Sequence, residues 1–555
     1  MPVVNHLLER LGLDEILERF VPTEDRRTRI SHARCLGVLL RSITVEREPI
    51  YREAEWVSAF APDLFGLGED EARHLGDDRL GRALDRLFDA DRAALLTEVV
   101  LAMHRGFGVS FDCFHNDSTT IKFCGRYGAA QGRSIRGRRA AHITYGYSKD
   151  HRPDLKQLLF ILTTTDDGHV PVAFRCEGGN TADVTTHKET WDELRALAGR
   201  SDFLYVADSK LCSAETLEYI ARQGGRFLTV LPRSRREDTS FRRWILAHEV
   251  PWETVRNRKG PRGSRGPRDI WRVWRSDLPS LEGWPVTWVY SSLLAGKQSH
   301  KRQERIDRAK HELAKLSATL ASPRTRIKKR SVVHERLKDI LTQLDVTRYL
   351  RVKVGQEEIH TFRQKGPGRP GPDTAYRRIT KKRFTLAWTV QTDLVERDHV
   401  HDGMFPLLSN DRSLTPAEVF HHYKRQPKLE ARFRQLKDPM AIAPVFLKNE
   451  ARIEALFFLY AVSLLVQALL EREVRQAMKR EDVASLPLYP EERPSRFPTA
   501  TQLLRLFGPL QRHEILSGDA SIKTIHPDLS DLQKEVLRLL GVPANRYRRP
   551  PPAAS

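Results

Sequence analysis

Apolar residues change their spacing at about residue 106, and one pattern of secondary structure cannot serve both sides of that change. Before it they recur three and four apart, as in Leu36, Leu39 and Leu40 and again in Leu80, Leu84 and Leu87, so they line one face of a helix. After it come short runs with the composition of strands, at 109–117, 156–165 and 170–175, the last two joined by the hairpin signal Asp166-Asp167-Gly168. A helix over 186–198, a strand over 203–207 ending at Asp208, a helix capped by Ser213 and a strand over 226–231 continue the series. Strands that first pair antiparallel and then alternate with helices predict an α/β mixed sheet with flanking helices.

The series breaks off between about 236 and 397. That stretch holds aromatic strands at 269–273 and 284–291 and a helical hairpin whose first arm carries Ile306, Ala309, Leu313, Leu316 and Leu320. A Pro/Gly-rich run at 366–371 precedes a strand at 384–392. Thr415 and Pro416 then open a helical region reaching about Lys437, and a long apolar helix covers 452–478. The expected organisation is a helical N-terminal domain, 1–105, for DNA binding or for packing alone; a sheet core, 106–235; an insertion, 236–397; the rest of the core, 398–480; and a helical C-terminal region, 481–555, whose last ten residues are expected to be disordered.

With 93 Lys and Arg against 72 Asp and Glu, the net charge is +21, which points to a polyanion as partner. The basic residues are spread along the chain, which favours nucleic acid over a membrane surface. The most apolar run, 455–470, is interrupted by Ser463 and Gln467 and is shorter than the roughly 20 residues of a bilayer span, so a buried helix is expected. Five scattered cysteines and an N-terminus without the order of a signal peptide predict a reduced, cytoplasmic protein.

Phosphodiester chemistry requires charge to be neutralised on two oxygens, which two divalent ions roughly 3.5–4 Å apart achieve when several acids converge on them. Asp117 and Asp208 each follow an apolar strand. Asp112 and Asp202 are rivals on the same strands, but alternation turns Asp112 to the other face, and Ser118-Thr119 follows Asp117. Tyr423, Gln426, Glu430 and Lys437 fall at spacings that share one helical face, with Arg434 beside them, and Pro427 predicts a kink ahead of Glu430.

Asp-Ser-Thr after a strand, Asp208 after FLYVA, and Tyr423, Gln426, Glu430 and Lys437 in that order resemble the DDE-class insertion-sequence transposases with a Tyr-Arg-Glu-Lys signature. The resemblance is to the insertion-sequence-four superfamily, nearest its sixteen-thirty-four branch. Gly146 to Lys156, RFRQLK from Arg432 to Lys437 and LQKEVLRLL from Leu532 to Leu540 extend it over nearly the whole chain. It implies a ribonuclease-H-like core split by an insertion, with Asp117, Asp208 and Glu430 as catalytic metal ligands for two Mg²⁺ ions, replaceable by Mn²⁺. It also implies DNA contacts from Tyr423 and Lys437, with Arg434 beside them. Gln426 stands where the family has Arg, and Arg425 is the candidate substitute.

The partners implied are double-stranded DNA with terminal inverted repeats, target DNA and a second copy of the chain, with no membrane and no small-molecule cofactor. The activity implied is cut-and-paste transposition. The alternatives are a nuclease of the same fold that cuts without joining and a non-catalytic DNA-binding descendant. Seven of the nine Trp residues lie in the insertion, and one of Trp271, Trp274, Trp284 and Trp288 is expected to stack on a flipped base, the others serving the core of the insertion. Gly-Arg-Pro at 368–370 resembles a minor-groove hook, though a flexible linker is the commoner use of such residues.

Overall fold

The computed structural model describes residues 1–555 apart from 26, 69, 129, 148–151, 182–185, 259–267, 518–519 and 549–555. Part of the 146–156 segment therefore lies outside the described residues, as does the tail from 549. Just before that tail, Ala544–Tyr547 forms a 3-10 turn and Arg546 pairs with Glu9 at 2.6 Å, so the disorder expected from residue 546 does not begin there. Two compact units are present, one of residues 1–230, 409–411 and 421–555, the other of residues 231–408 and 412–420.

The first unit begins with the helices Pro2–Leu11, Leu13–Phe20, His32–Val45, Glu53–Ser58, Asp77–Asp89 and Arg92–Phe107. Gly12, at φ +58, ends the first of these helices and starts the second, a backbone turn that side chains resist. His32–Val45 and Asp77–Asp89 pack on the long helix Glu450–Arg480. The two residues that interrupt the apolar run of that helix make the contact specific: Ser463 Oγ meets Thr44 Oγ1 at 2.5 Å, and Gln467 Nε2 donates to the Thr44 carbonyl at 2.7 Å. Arg452 pairs with Asp85 and Arg92 with Glu454, both at 2.7 Å. The boundary at residue 105 thus separates types of element within one unit. The long helix is apolar enough to cross a membrane, and 94% of its apolar window is buried in the fold.

Glu53 is fully buried here, with Ser42 Oγ donating to it at 2.8 Å. Burial pushes its carboxyl up from 4.5 to about 8. The folded state therefore keeps a proton that the unfolded chain gives up, so the contribution of Glu53 to stability is full below about pH 4.5 and is lost as pH rises towards 8. Glu53→Gln should remove a few kcal/mol of that pH dependence, on the order set by a shift of several units. Melting temperatures of both proteins at pH 5 and pH 8 test this; equal slopes would show that Glu53 ionises freely in the fold.

The strands follow: β1 (Cys113–Phe123), the short ladder of β2 (Ser134–Ile135) with β3 (Arg138–Arg139), then β4 (Lys156–Thr165), β5 (Pro171–Gly178), β6 (Leu204–Val206) and β7 (Arg226–Val230). Five of them lie in the order β5-β4-β1-β6-β7. β4 is antiparallel to β1 and β5 to β4, whereas β6 and β7 run parallel to β1. The helices His187–Ala198 and Ala214–Arg222 supply the crossovers that parallel neighbours require. The strand expected to close at Asp117 instead runs on to Phe123. Its β-branched continuation Thr119-Thr120-Ile121 pairs with Phe160, Leu159 and Leu158 of β4, which leaves Asp117 in mid-strand opposite Leu162.

In the second unit the helix Arg236–Trp244 is followed by β8 (Glu253–Arg258), β9 (Asp269–Arg275) and β10 (Val286–Ser291), which with β13 (Met404–Ser409) form an antiparallel run in the order β13-β10-β9-β8. The helices Ser292–Ala321 and Arg330–Gln343 pair as expected, burying Ile306, Ala309, Leu313, Leu316 and Leu320. Two long strands, β11 (Leu350–Gln364) and β12 (Tyr376–Val390), form a sheet of their own, and the Pro/Gly-rich run at 366–371 lies at its turn. The helix Thr392–Val400 precedes β13.

Back in the first unit, Asn410 accepts the Phe227 N–H at 2.9 Å, Ser409 donates to the Phe227 carbonyl at 2.7 Å, and Asp411 pairs with Arg226 at 2.8 Å, which ties segment 409–411 to β7. The helix expected from Thr415 to Lys437 is two helices, Pro416–Tyr423 and Gln426–Lys437, and Pro427 sits in the first turn of the second. There its missing N–H costs nothing, so it begins a helix instead of kinking one. After Glu450–Arg480 come Ala500–Phe507, the hairpin of β14 (His513–Ser517) with β15 (Ala520–Ile525), and Asp531–Leu540.

Candidate active site

The parallel ladder of β1 and β6 pairs Cys113 with Leu204, Phe114 with Tyr205 and His115 with Val206. Asp117 lies two residues beyond the last paired residue of β1 in this ladder, His115, and Asp208 two residues beyond Val206, past the end of β6. Because side chains alternate along a strand, Cys113, His115 and Asp117 share a face of β1. Both acids are half-buried. Asp117 Oδ1 accepts the Ser118 N–H at 2.7 Å and Asp208 Oδ1 the Lys210 N–H at 2.9 Å. The Asp208 carbonyl also accepts from Thr229 Oγ1 at 2.6 Å, which fixes the chain just past β6 against β7.

The helix Gln426–Lys437 docks on this same face of β1. Gln426 is buried; its Nε2 donates to the Asn116 carbonyl at 2.8 Å and its Oε1 meets His115 Nδ1 at 3.0 Å. Glu430 lies one turn beyond Gln426 on the same side of the helix and is exposed. Tyr423, at the end of the preceding helix, is linked to two of the acids: burial pushes its phenol up to about 12, and the carboxylates of Asp208 and Glu430 add to the rise. Asp208 and Glu430 thus both act on Tyr423, and the helix of Glu430 is held to β1 at Asn116, next to Asp117. Carboxylates offer an all-oxygen donor set of the kind that suits Mg²⁺ or Mn²⁺.

The transposase DDE domain family matches residues 112–466, and a domain of unknown function (DUF4277) matches residues 1–101. The chain belongs to the DDE transposase family. No curated protein matches it. Among solved structures, the transposase is similar to a piggyBac transposase in a synaptic complex with hairpin DNA, at a TM-score of 0.30 and 10% identity, covering 86% of this chain and 82% of that one. That likeness is too slight to build on.

Other residues singled out in the sequence take different places in the transposase. Gln426 is turned into the fold, where its amide holds strand and ring and is not offered to a phosphate. Arg425 is exposed but forms an ion pair with Asp166. Arg434 is exposed on the helix of Glu430, and Lys437 is half-buried at its end. In the second unit Trp288 is 1% exposed with Phe241 stacked on it at 3.6 Å, and Trp271 is buried against Phe420. Trp274 stacks on Trp244 at 5.5 Å, and both line a pocket with Phe241, Leu278 and Val286. Trp284 is half-buried.

Sequence reasoning missed His115 and Asp166, and it read His422, beside Tyr423, as an ordinary helix residue. Burial pushes the His115 imidazole down to about 4, so the ring is neutral near pH 7; its Nε2 lies 3.1 Å from Asp166 Oδ1. Cys113, Asp166 and His422 bring one donor atom each within 4.8 Å of one another. Arg425 already neutralises Asp166, and burial pushes the Cys113 thiol up to about 12, so the group is a packed polar cluster with a poor metal-binding charge. No spacing in the sequence announces these contacts, because the partners come from β1, the end of β4 and the 421–426 segment.

Gln426 therefore ties the helix of Glu430 to β1. Gln426→Ala should lower strand cleavage about a hundredfold, the scale of a misplacement near 1 Å, and raise the Mg²⁺ concentration needed for half-maximal rate. Cleavage measured across a metal titration checks this; an unchanged metal curve in a folded variant would remove Gln426 from the site.

Proposed function

We propose that the transposase binds the ends of a DNA element, cleaves there in a metal-dependent reaction and joins the freed ends to target DNA, with Asp117, Asp208 and Glu430 as the catalytic metal ligands. The reading is supported by the placement of Asp117 and Asp208 each two residues beyond the last pair of the β1–β6 ladder, and by the Tyr423 phenol, which burial and then the carboxylates of Asp208 and Glu430 push up. A ribonuclease-H-like core is supported by three antiparallel strands continued by two parallel crossover strands on the far side of β1. The finer assignment to the insertion-sequence-four superfamily rests on the spacing of Tyr423, Glu430 and Lys437.

Magnesium held by these carboxylates supplies charge neutralisation at the attacking and leaving oxygens. The chain's own groups do the rest. Tyr423, its phenol raised to about 12, stays protonated at neutral pH and donates a hydrogen bond towards a phosphate oxygen. Arg434 and Lys437, on the same helix as Glu430, hold the DNA backbone through charge. Trp274, with Trp244 beside it in the pocket, is the residue of the four best placed to stack on an extruded base. A homodimer that pairs two ends completes the proposal.

The test is an assay on a supercoiled plasmid carrying the inverted repeats that flank the element, with Mg²⁺ and a target plasmid. Excised element joined to target is the expected product. Cleaved ends that never join would make the protein a nuclease, and metal-independent binding with no cleavage would make it a DNA-binding descendant.

A further inference from the structure

The hairpin of β11 and β12 is far longer than its support. Its strands pair at all positions from Leu350 opposite Val390 to Gln364 opposite Tyr376, and Lys365 N–H extends the ladder to the Ala375 carbonyl at 3.0 Å. Only the base is packed: Val352, Val354, Phe384, Leu386, Trp388 and Val390 lie on the apolar cluster of the two paired helices. Beyond Gly355, the outer part of β11 runs nine residues, about 30 Å, as a two-stranded ribbon with both faces largely in solvent. An isolated ribbon is marginal in water, so anchoring at the base alone leaves its outer half unexplained as part of a core.

The composition of the outer half is one-sided. From 356 to 383 there are eight Lys and Arg against three acids. Arg363 and Arg377 stand directly opposite each other, a like-charge pair that destabilises a ladder, and Lys381 follows on the same face opposite Ile359. Charge alone protects sheet edges from pairing, but either sign would do that, and mixed signs would avoid the repulsion. Edge protection also gives no reason to expose Phe362 at 67% and Tyr376 at 49% on the opposite face.

We infer that the β11–β12 ribbon is an arm that binds duplex DNA, with Arg363, Arg377 and Lys381 on phosphates and Arg369 at the turn reaching the groove. Two paired strands fit the major groove of B-DNA, which is about 12 Å wide, and phosphates relieve the arginine pair. DNA as partner rests on the reading of the chain as a transposase, but the arm belongs to the second unit and the three acids to the first.

The experiment uses the full chain and a fluorescent 40-base-pair duplex, in EDTA so that no cleavage intervenes, with affinity followed across a salt series. The triple variant R363Q/R377Q/K381Q should bind at least tenfold more weakly at moderate salt. Its plot of log affinity against log salt should be flatter by about 2 to 3, three phosphate contacts at roughly 0.9 each. A control of equal charge change elsewhere, R222Q/K479Q/K534Q, should keep the wild-type slope. A ribbon variant that matches this control, or one that loses more affinity for polyglutamate or single-stranded RNA than for the duplex, overturns the proposal. Loss of duplex binding in a chain that never cleaves DNA would support the arm while sinking the catalytic reading; full cleavage with unchanged affinity in the ribbon variant would do the reverse.

Discussion

Asp117→Asn, Asp208→Asn and Glu430→Gln should each lower strand cleavage by at least a thousandfold while leaving duplex binding within a few-fold of the wild type. The expectation follows from placement. Asp117 is held mid-strand, the Asp208 carbonyl is held by Thr229, and Glu430 rides on a helix pinned to Asn116. Each substitution keeps the shape and removes one unit of negative charge, so what is lost is the hold on a divalent ion. Since charge stabilisation in the transition state is usually the largest single contribution to such chemistry, the rate falls far more than the binding. Three measurements decide it: cleavage rate, duplex affinity in EDTA, and Mn²⁺ binding by the free protein. A variant that retains cleavage, or one that loses DNA binding in proportion, would take that residue out of the metal site.

Arg432→Ala is expected to destabilise the first unit by about 3–5 kcal/mol, the usual cost of breaking a buried ion pair from one side. Arg432 is 5% exposed. Its Nη1 meets Glu471 Oε2 at 2.8 Å, and its remaining nitrogens donate to the carbonyls of Gly168 at 2.9 Å and His169 at 3.0 Å. One side chain thus joins the helix of Glu430, the β4–β5 turn and the long core helix. Removing it takes a donor from four acceptors, the two carbonyls, Glu471 and Gln435 Oε1, and leaves the Glu471 charge to Arg475 at 3.2 Å and the Ala500 N–H at 3.0 Å. Replacing both partners, as in Arg432→Met with Glu471→Met, should cost much less because no buried charge is left over. Urea unfolding of the single and double variants separates the cases; equal losses would mean that packing and not charge holds the helix in place.

The sequence by itself determined much of this protein. The change of apolar spacing near residue 106, the hairpin signal at 166–168 and the alternating repeat from Ile306 to Leu320 became the helices, the β4–β5 hairpin and the helical pair. Those features are local: a period of two or of three to four selects a strand or a helix wherever the segment ends up. The DDE transposase family was likewise legible, because the resemblance to it is written in spacing. Tertiary structure alone decided the rest. That β1 continues past Asp117 depended on β4 offering a ladder to Thr119 and Thr120, and that Pro427 opens a helix depended on where the chain turned before it. Gln426 looked like a missing cation until its amide was seen to bind Asn116 and His115. The basic run around Gly-Arg-Pro looked like a linker because no window of sequence shows that the strands on either side pair for fifteen residues. In each case the deciding partner is dozens or hundreds of residues away, and hydrogen bonding and burial, which choose between the local options, exist only once the fold has brought that partner near.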